Sequence, residues 1–284
     1  LSCRLSPLLL DRIEQRFSKM NLGPLLCVLH AITMLLPQAG TTLFACVLFF
    51  AWKNSGMAIS ELTISSAFAA YPDYKQLLLA MIAASSLMFV ATIVRNIQVR
   101  IWYRRRFGNY LQVLLRGSKE NDARDQSATR LAMFNDVASV VNILAYIAFL
   151  VLAVVRTGDM DPIHRIATVC YFTLSSIYAI MQTVLTTTQG DHYPRFVAIA
   201  QIFLVVMILL GAVGCAVTFF YLDSPRYELE WLAVVCNLIF VFFFSVMFHI
   251  DSAADELIEF FCPCCALGKS VAEKERKNAR DSGV

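Results

Sequence analysis

The chain has 284 residues, 58% of them hydrophobic and only 16% charged, whereas soluble domains carry about 25% charged residues. That composition excludes an ordinary soluble fold. A formal net charge of +3 also excludes nucleic-acid binding by bulk charge, so no nucleic-acid partner is expected and the placement of the charges becomes the informative quantity.

Residues 1–23 form the first of three regions. Leu10, Ile13, Phe17 and Met20 recur at three- and four-residue spacing among Asp11, Arg12, Glu14, Arg16 and Lys19. The pattern suits either an amphipathic helix lying on the inner membrane surface or a polar leader. Charges running up to the first apolar block argue against a cleavable signal peptide. Residues 24–250 follow as a membrane domain, because about 20 helical residues cross roughly 30 Å of hydrocarbon. Six blocks are long enough: Pro24–Trp52, Gln76–Gln98, Ala132–Val155, Ile166–Leu185, Phe196–Tyr221 and Trp231–His249. The expected fold class is all-α, a polytopic bundle of six transmembrane helices. Pro37 inside the overlong first block predicts a kink or a tilt. Residues 251–284 form a juxtamembrane segment and a charged tail.

Between the blocks, basic residues set the topology. Eighteen Lys and Arg fall on the side that receives the two flanking regions, and five fall on the other. This positive-inside bias predicts both termini in the cytoplasm. The first external loop, Lys53–Lys75, carries Ser60 and Glu61, and Asp161 and His164 stand three apart at a helix start, close enough to pair. Ser, Glu, Asp and His together invite a hydrolase or acyltransferase reading. Neither a Gly-x-Ser-x-Gly nucleophile elbow nor a His-Glu-x-x-His motif accompanies them, so no catalytic residue is assigned.

On the inner side, Arg95, Arg100, Arg104, Arg105 and Arg106 flank Trp102, Tyr103 and Phe107. Arginines with interleaved aromatics at this depth suit contact with anionic lipid, and they serve topology as well. A polar loop is expected from Ser118 to Ser127. His30, Asp136, Gln182, Gln201 and His249 all fall near the inner ends of their blocks. They form either a polar layer for a headgroup or vestibule, or a set of interfacial residues that reach water. Asn142 and Asn237 are the deepest amides and are expected to hydrogen-bond between helices. The midplane is otherwise nearly free of charge, which disfavours a coupled transporter.

Nine cysteines are present, and their positions do not describe a disulfide-stapled ectodomain. Cys262, Cys264 and Cys265 follow Leu257, Ile258, Phe260 and Phe261 just past the last block, a setting for S-acylation or for unmodified thiols. No fourth metal ligand lies near them, and no metal or cofactor is expected. The ending Ser282-Gly283-Val284 fits capture by a PDZ-type domain, so membrane lipids and cytoplasmic proteins are the partners in view.

Several of these residues carry a resemblance. Ile59-Ser60-Glu61 with Pro72, Ile163-His164, and the last block from Glu230-Trp231 to Val246-Met247-Phe248-His249 resemble the DRAM/Sfk/Frag group over roughly residues 24–250. That group includes the post-GPI-attachment remodelling factor and the Cwh N-terminal domain. Leu62 and Thr63 stand where a glycine is expected after the Ile-Ser pair. Glu230-Trp231 looks like the DRAM and Sfk branches, and Phe248-His249 like the GPI-remodelling branch. The first likeness implies a non-enzymatic regulator or scaffold in phosphoinositide signalling or autophagy, at the plasma membrane or endolysosome. The second implies lipid handling during GPI-anchor remodelling in the Golgi or ER, with Ser60, Glu61 and His164 touching the glycolipid.

Overall fold

The computed structural model describes residues 23–56, 58, 63–64, 74–107, 123–155, 161–189, 192–221 and 227–251. Six helices account for nearly all of them: α1 (Gly23–Ser55), α2 (Tyr74–Phe107), α3 (Ala123–Val154), α4 (Asp161–Thr188), α5 (Arg195–Tyr221) and α6 (Tyr227–Asp251). No strand occurs among the described residues. Each helix contains a stretch long and apolar enough to cross a membrane. Hydrocarbon offers no partner for backbone N–H and C=O groups, so each block closes its own hydrogen bonds as a helix. The chain is an integral membrane protein of the all-α class.

Helices outrun the predicted blocks. α2 continues past Gln98 to Phe107, which carries the arginine cluster into the helix. α3 begins at Ala123 instead of Ala132, so the part of the expected Ser118–Ser127 loop from Ala123 onward is helical. A span that is already nucleated extends into its flanks at one hydrogen bond per residue fixed, and Ala, Arg and Gln favour that extension. α1 runs through Pro37, and Thr41 Oγ1 donates to the Pro37 carbonyl at 2.7 Å. It stops where Asn54 and Ser55 donate back to the Phe50 and Trp52 carbonyls, each at 2.7 Å, and Gly56 takes φ 68°. That left-handed residue is the usual end of a helix and suits glycine.

Each helix packs on the next, and α1 also packs on α6, which closes the bundle into a ring. α6 touches α2 and α4 as well and lies nearest the centre; half of its span is buried, against 22% for α3. Helices gain no hydrophobic force by meeting in lipid, so close approach of small residues and interhelical hydrogen bonds hold them. At Gly211 a Cβ would lie 2.7 Å from the Leu229 carbonyl oxygen and 2.8 Å from the Ala233 nitrogen, so α5 and α6 touch backbone to backbone. One apolar cluster gathers Phe240, Phe244 and Phe248 of α6 with Tyr178, Val197, Leu204 and Ile208. A second, built on Phe44, Leu48, Leu77, Met81 and Phe149, joins α1, α2 and α3.

Candidate functional site

Antiparallel α2 and α3 are joined by a ladder of polar side chains. At the basic end, Arg100 Nε and Nη2 donate to Asp136 Oδ1 at 3.1 and 2.7 Å. One turn deeper, Asn96 donates to the Asn135 carbonyl at 2.9 Å and Asn135 returns a bond to the Asn96 carbonyl at 3.1 Å. Asn96 also bonds Ser139 Oγ. Asn142 then donates to Thr92 Oγ1 at 2.5 Å, and the Ser86 and Tyr146 hydroxyls share a 2.8 Å bond beneath the stacked Phe89 and Tyr146 rings. From Arg100 to Ser86 the rungs step back four to six residues on α2, while their partners on α3 advance from Asn135 and Asp136 to Tyr146, as antiparallel helices require.

Beside the ladder, the Arg95 guanidinium is wholly buried. Nη1 donates to Tyr193 OH at 2.7 Å and Gln98 Oε1 at 3.1 Å; Nη2 donates to Gln189 Oε1 at 3.2 Å and Thr186 Oγ1 at 3.5 Å. α2 is thereby tied to the end of α4 and to the turn that leads into α5. Tyr103 OH adds a 2.9 Å bond to Thr188. Gln98 and Gln189 turn their oxygens to the cation, as a donor-only guanidinium demands, and this leaves both amide Nε2 groups buried without a hydrogen-bond partner. Both amide atoms of Gln182 and Oε1 of Gln201 are in the same condition.

Midway along the bundle, a cavity of about 70 Å³ is lined by Asn142, Tyr146, Tyr171, Ser175, Tyr178 and Asn237 among other residues. Its size suits a few water molecules and not a lipid. Asn237 donates to Tyr171 OH at 3.2 Å, linking α6 to α4. The two deepest amides thus serve interhelical bonding, as expected. At the end opposite Arg100, His164 Nδ1 donates to the Val155 carbonyl at 2.7 Å, and the ring is buried. There too the Glu230 carboxylate accepts the backbone N–H of Ile64, which docks a piece of the first loop beside Trp231.

The expected sites therefore divide. Of the inner polar layer, Gln182 and Gln201 point into the bundle, whereas His249 is exposed and Asp136 faces outward to Arg100. The described members do not face a common point. Gln201 Nε2 reaches the Met247 sulfur at 3.4 Å. Arg95, grouped with the arginines that suit lipid contact, does not face lipid at all. It is five residues from Arg100, which at 3.6 residues per turn places it about 140° around the helix. That offset, with Gln98 one turn on, was the signal for an inward arginine. The side chains of His30, Arg104, Arg105 and Arg106, and all of Ser60, Glu61, Cys262, Cys264 and Cys265, lie outside the described residues. Among the described residues Cys46, Cys170, Cys215 and Cys236 form no disulfide, and no cluster of metal-ligating side chains occurs.

No curated protein matches the chain, and neither does any solved structure. Six apolar helices nevertheless agree with one known group. Over residues 23–250 the sequence matches the family described as Frag1/DRAM/Sfk1/Cwh43P N-terminal domain, and the chain belongs to that family.

Proposed function

We propose that the protein is a membrane-embedded regulator or scaffold that catalyses no reaction of its own and acts in phosphoinositide-linked or autophagy–lysosome signalling, at the plasma membrane or endolysosome. Both termini lie in the cytoplasm in this reading, where the basic end of the bundle meets anionic lipid through Arg104–Arg106. The tail, held to the bilayer by acylation of Cys262, Cys264 and Cys265, presents a surface to protein partners there. One observation carries the choice between the two branches of the family. Lipid handling in GPI-anchor remodelling needs His164 at the outer face, free to meet a glycolipid. Its ring is instead buried and its Nδ1 proton is committed to the Val155 carbonyl at the end of α3, a role in holding α3 to α4.

A GPI-anchored reporter in cells lacking the protein tests this. Its surface level and anchor lipid composition are expected to match those of normal cells. An altered anchor, restored by the wild type but not by His164→Ala at matched protein level, would return the protein to lipid remodelling.

A further inference from the structure

The outward face of the α2–α3 pair carries charge where none is needed for packing. Arg100 and Asp136 are 46% and 40% exposed, and their neighbours along α3, Met133 and Val137, are apolar and exposed. The pair stands near the ends of the apolar stretches Lys75–Tyr103 and Arg130–Val154. Asn96, Asn135, Ser139, Thr92 and Asn142 already clamp the two helices from within. An exposed ion pair adds little stability even in water, and charges at the edge of hydrocarbon are costly unless something polar meets them. Bundle stability therefore does not account for this pair.

Its geometry describes what meets it. Both bonds from Arg100 fall on the single oxygen Oδ1 of Asp136. Among the described residues Arg100 Nη1 and Asp136 Oδ2 have no hydrogen-bond partner, one being a donor with positive charge and the other an acceptor with negative charge. We propose that this face binds a bilayer lipid whose headgroup carries both a phosphate and a primary ammonium, of the ethanolamine type. The phosphate meets Arg100, and the ammonium donates to Asp136. A choline headgroup supplies the phosphate but has no N–H to donate, and a headgroup with net negative charge is repelled by Asp136. The site stands apart from the buried Arg95 and does not depend on whether the protein signals.

Native mass spectrometry of the purified full chain with phosphatidylethanolamine, phosphatidylcholine and phosphatidylserine of identical acyl chains reads the preference. Wild type is expected to retain the ethanolamine lipid about three- to fivefold more than the choline lipid, the scale of one partly exposed charge pair. Asp136→Asn keeps an oxygen for Arg100 and is expected to erase that difference, whereas Arg100→Gln lowers retention of both lipids. Photocrosslinking of wild type with a headgroup-reactive ethanolamine lipid is expected to label peptides from α2 and α3 around residues 100 and 136, a reading that needs no variant to fold. Equal retention of the two zwitterionic lipids, a preference untouched by Asp136→Asn, stronger retention of the serine lipid, or labelling elsewhere each overturns the proposal.

Discussion

Arg95 shows what one residue does when it has nowhere polar to go except inward. Four of its hydrogen bonds end on neutral oxygens contributed by α2, α4 and the turn before α5. Hydrogen bonds between membrane helices average about 0.6 kcal/mol, so Arg95→Met is expected to lower stability by about 2–3 kcal/mol. Thermal unfolding in detergent checks this. Arg95→Lys keeps the charge but replaces a planar fork by a single ammonium, and is expected to recover only part of the loss. Equal stability of Arg95→Met and wild type would show that the oxygens around it bond as well without it. His164 belongs to the same scale, a buried histidine whose Nδ1 bonds the Val155 carbonyl just past the end of α3.

At the scale of elements, the α5–α6 contact is limited by what Gly211 lacks. Any side chain there meets backbone atoms of Leu229 and Ala233 within 3 Å, and backbone cannot rotate away as a flexible side chain does. Gly211→Val is expected to force the helices apart and cost about 1–3 kcal/mol, the usual range for overpacking. Gly40 faces the movable Met88 side chain as well as the Ala84 carbonyl, so Gly40→Val is expected to cost less. A fluorescence-detected size-exclusion melt of the two variants checks the order. The elements also show where sequence reading succeeds and stops. Six blocks were legible because an apolar run long enough to span hydrocarbon has few other fates. Their ends were not, since helix propagation carries Arg100–Phe107 and Ala123–Thr129 past the point where hydropathy falls. The direction of polar side chains was not legible either. A helix apolar on every side has no amphipathic stripe to mark its inner face, and Gln201 and His249 looked alike until the neighbours of each were known.

The six described helices form a closed ring with one end rich in arginine. Charge bias on that scale predicts which end faces the cytoplasm. An N-glycosylation acceptor inserted after Gly56 is expected to be modified in cells, and one inserted after Gly117 to stay bare. Modification at Gly117 would invert the bundle and with it the leaflet assigned to Arg100 and Asp136. Contacts between distant segments belong to this scale too. Ile64 and Glu230 are far apart in sequence, yet one hydrogen bond joins the first loop to α6, a contact that no local pattern encodes.

The central position of α6 bears on biosynthesis. It is the last of the six helices to leave the ribosome, and it packs against α1, α2, α4 and α5. The first five helices therefore enter the bilayer before the piece that fills their middle exists. Until Tyr227–Asp251 emerges, Tyr171 has no Asn237 to bond and Gln201 has no Met247. Completion of the interior coincides with the end of translation of the membrane domain, so a chain interrupted before Tyr227 exposes its unfilled centre to whatever surveys nascent proteins in the membrane.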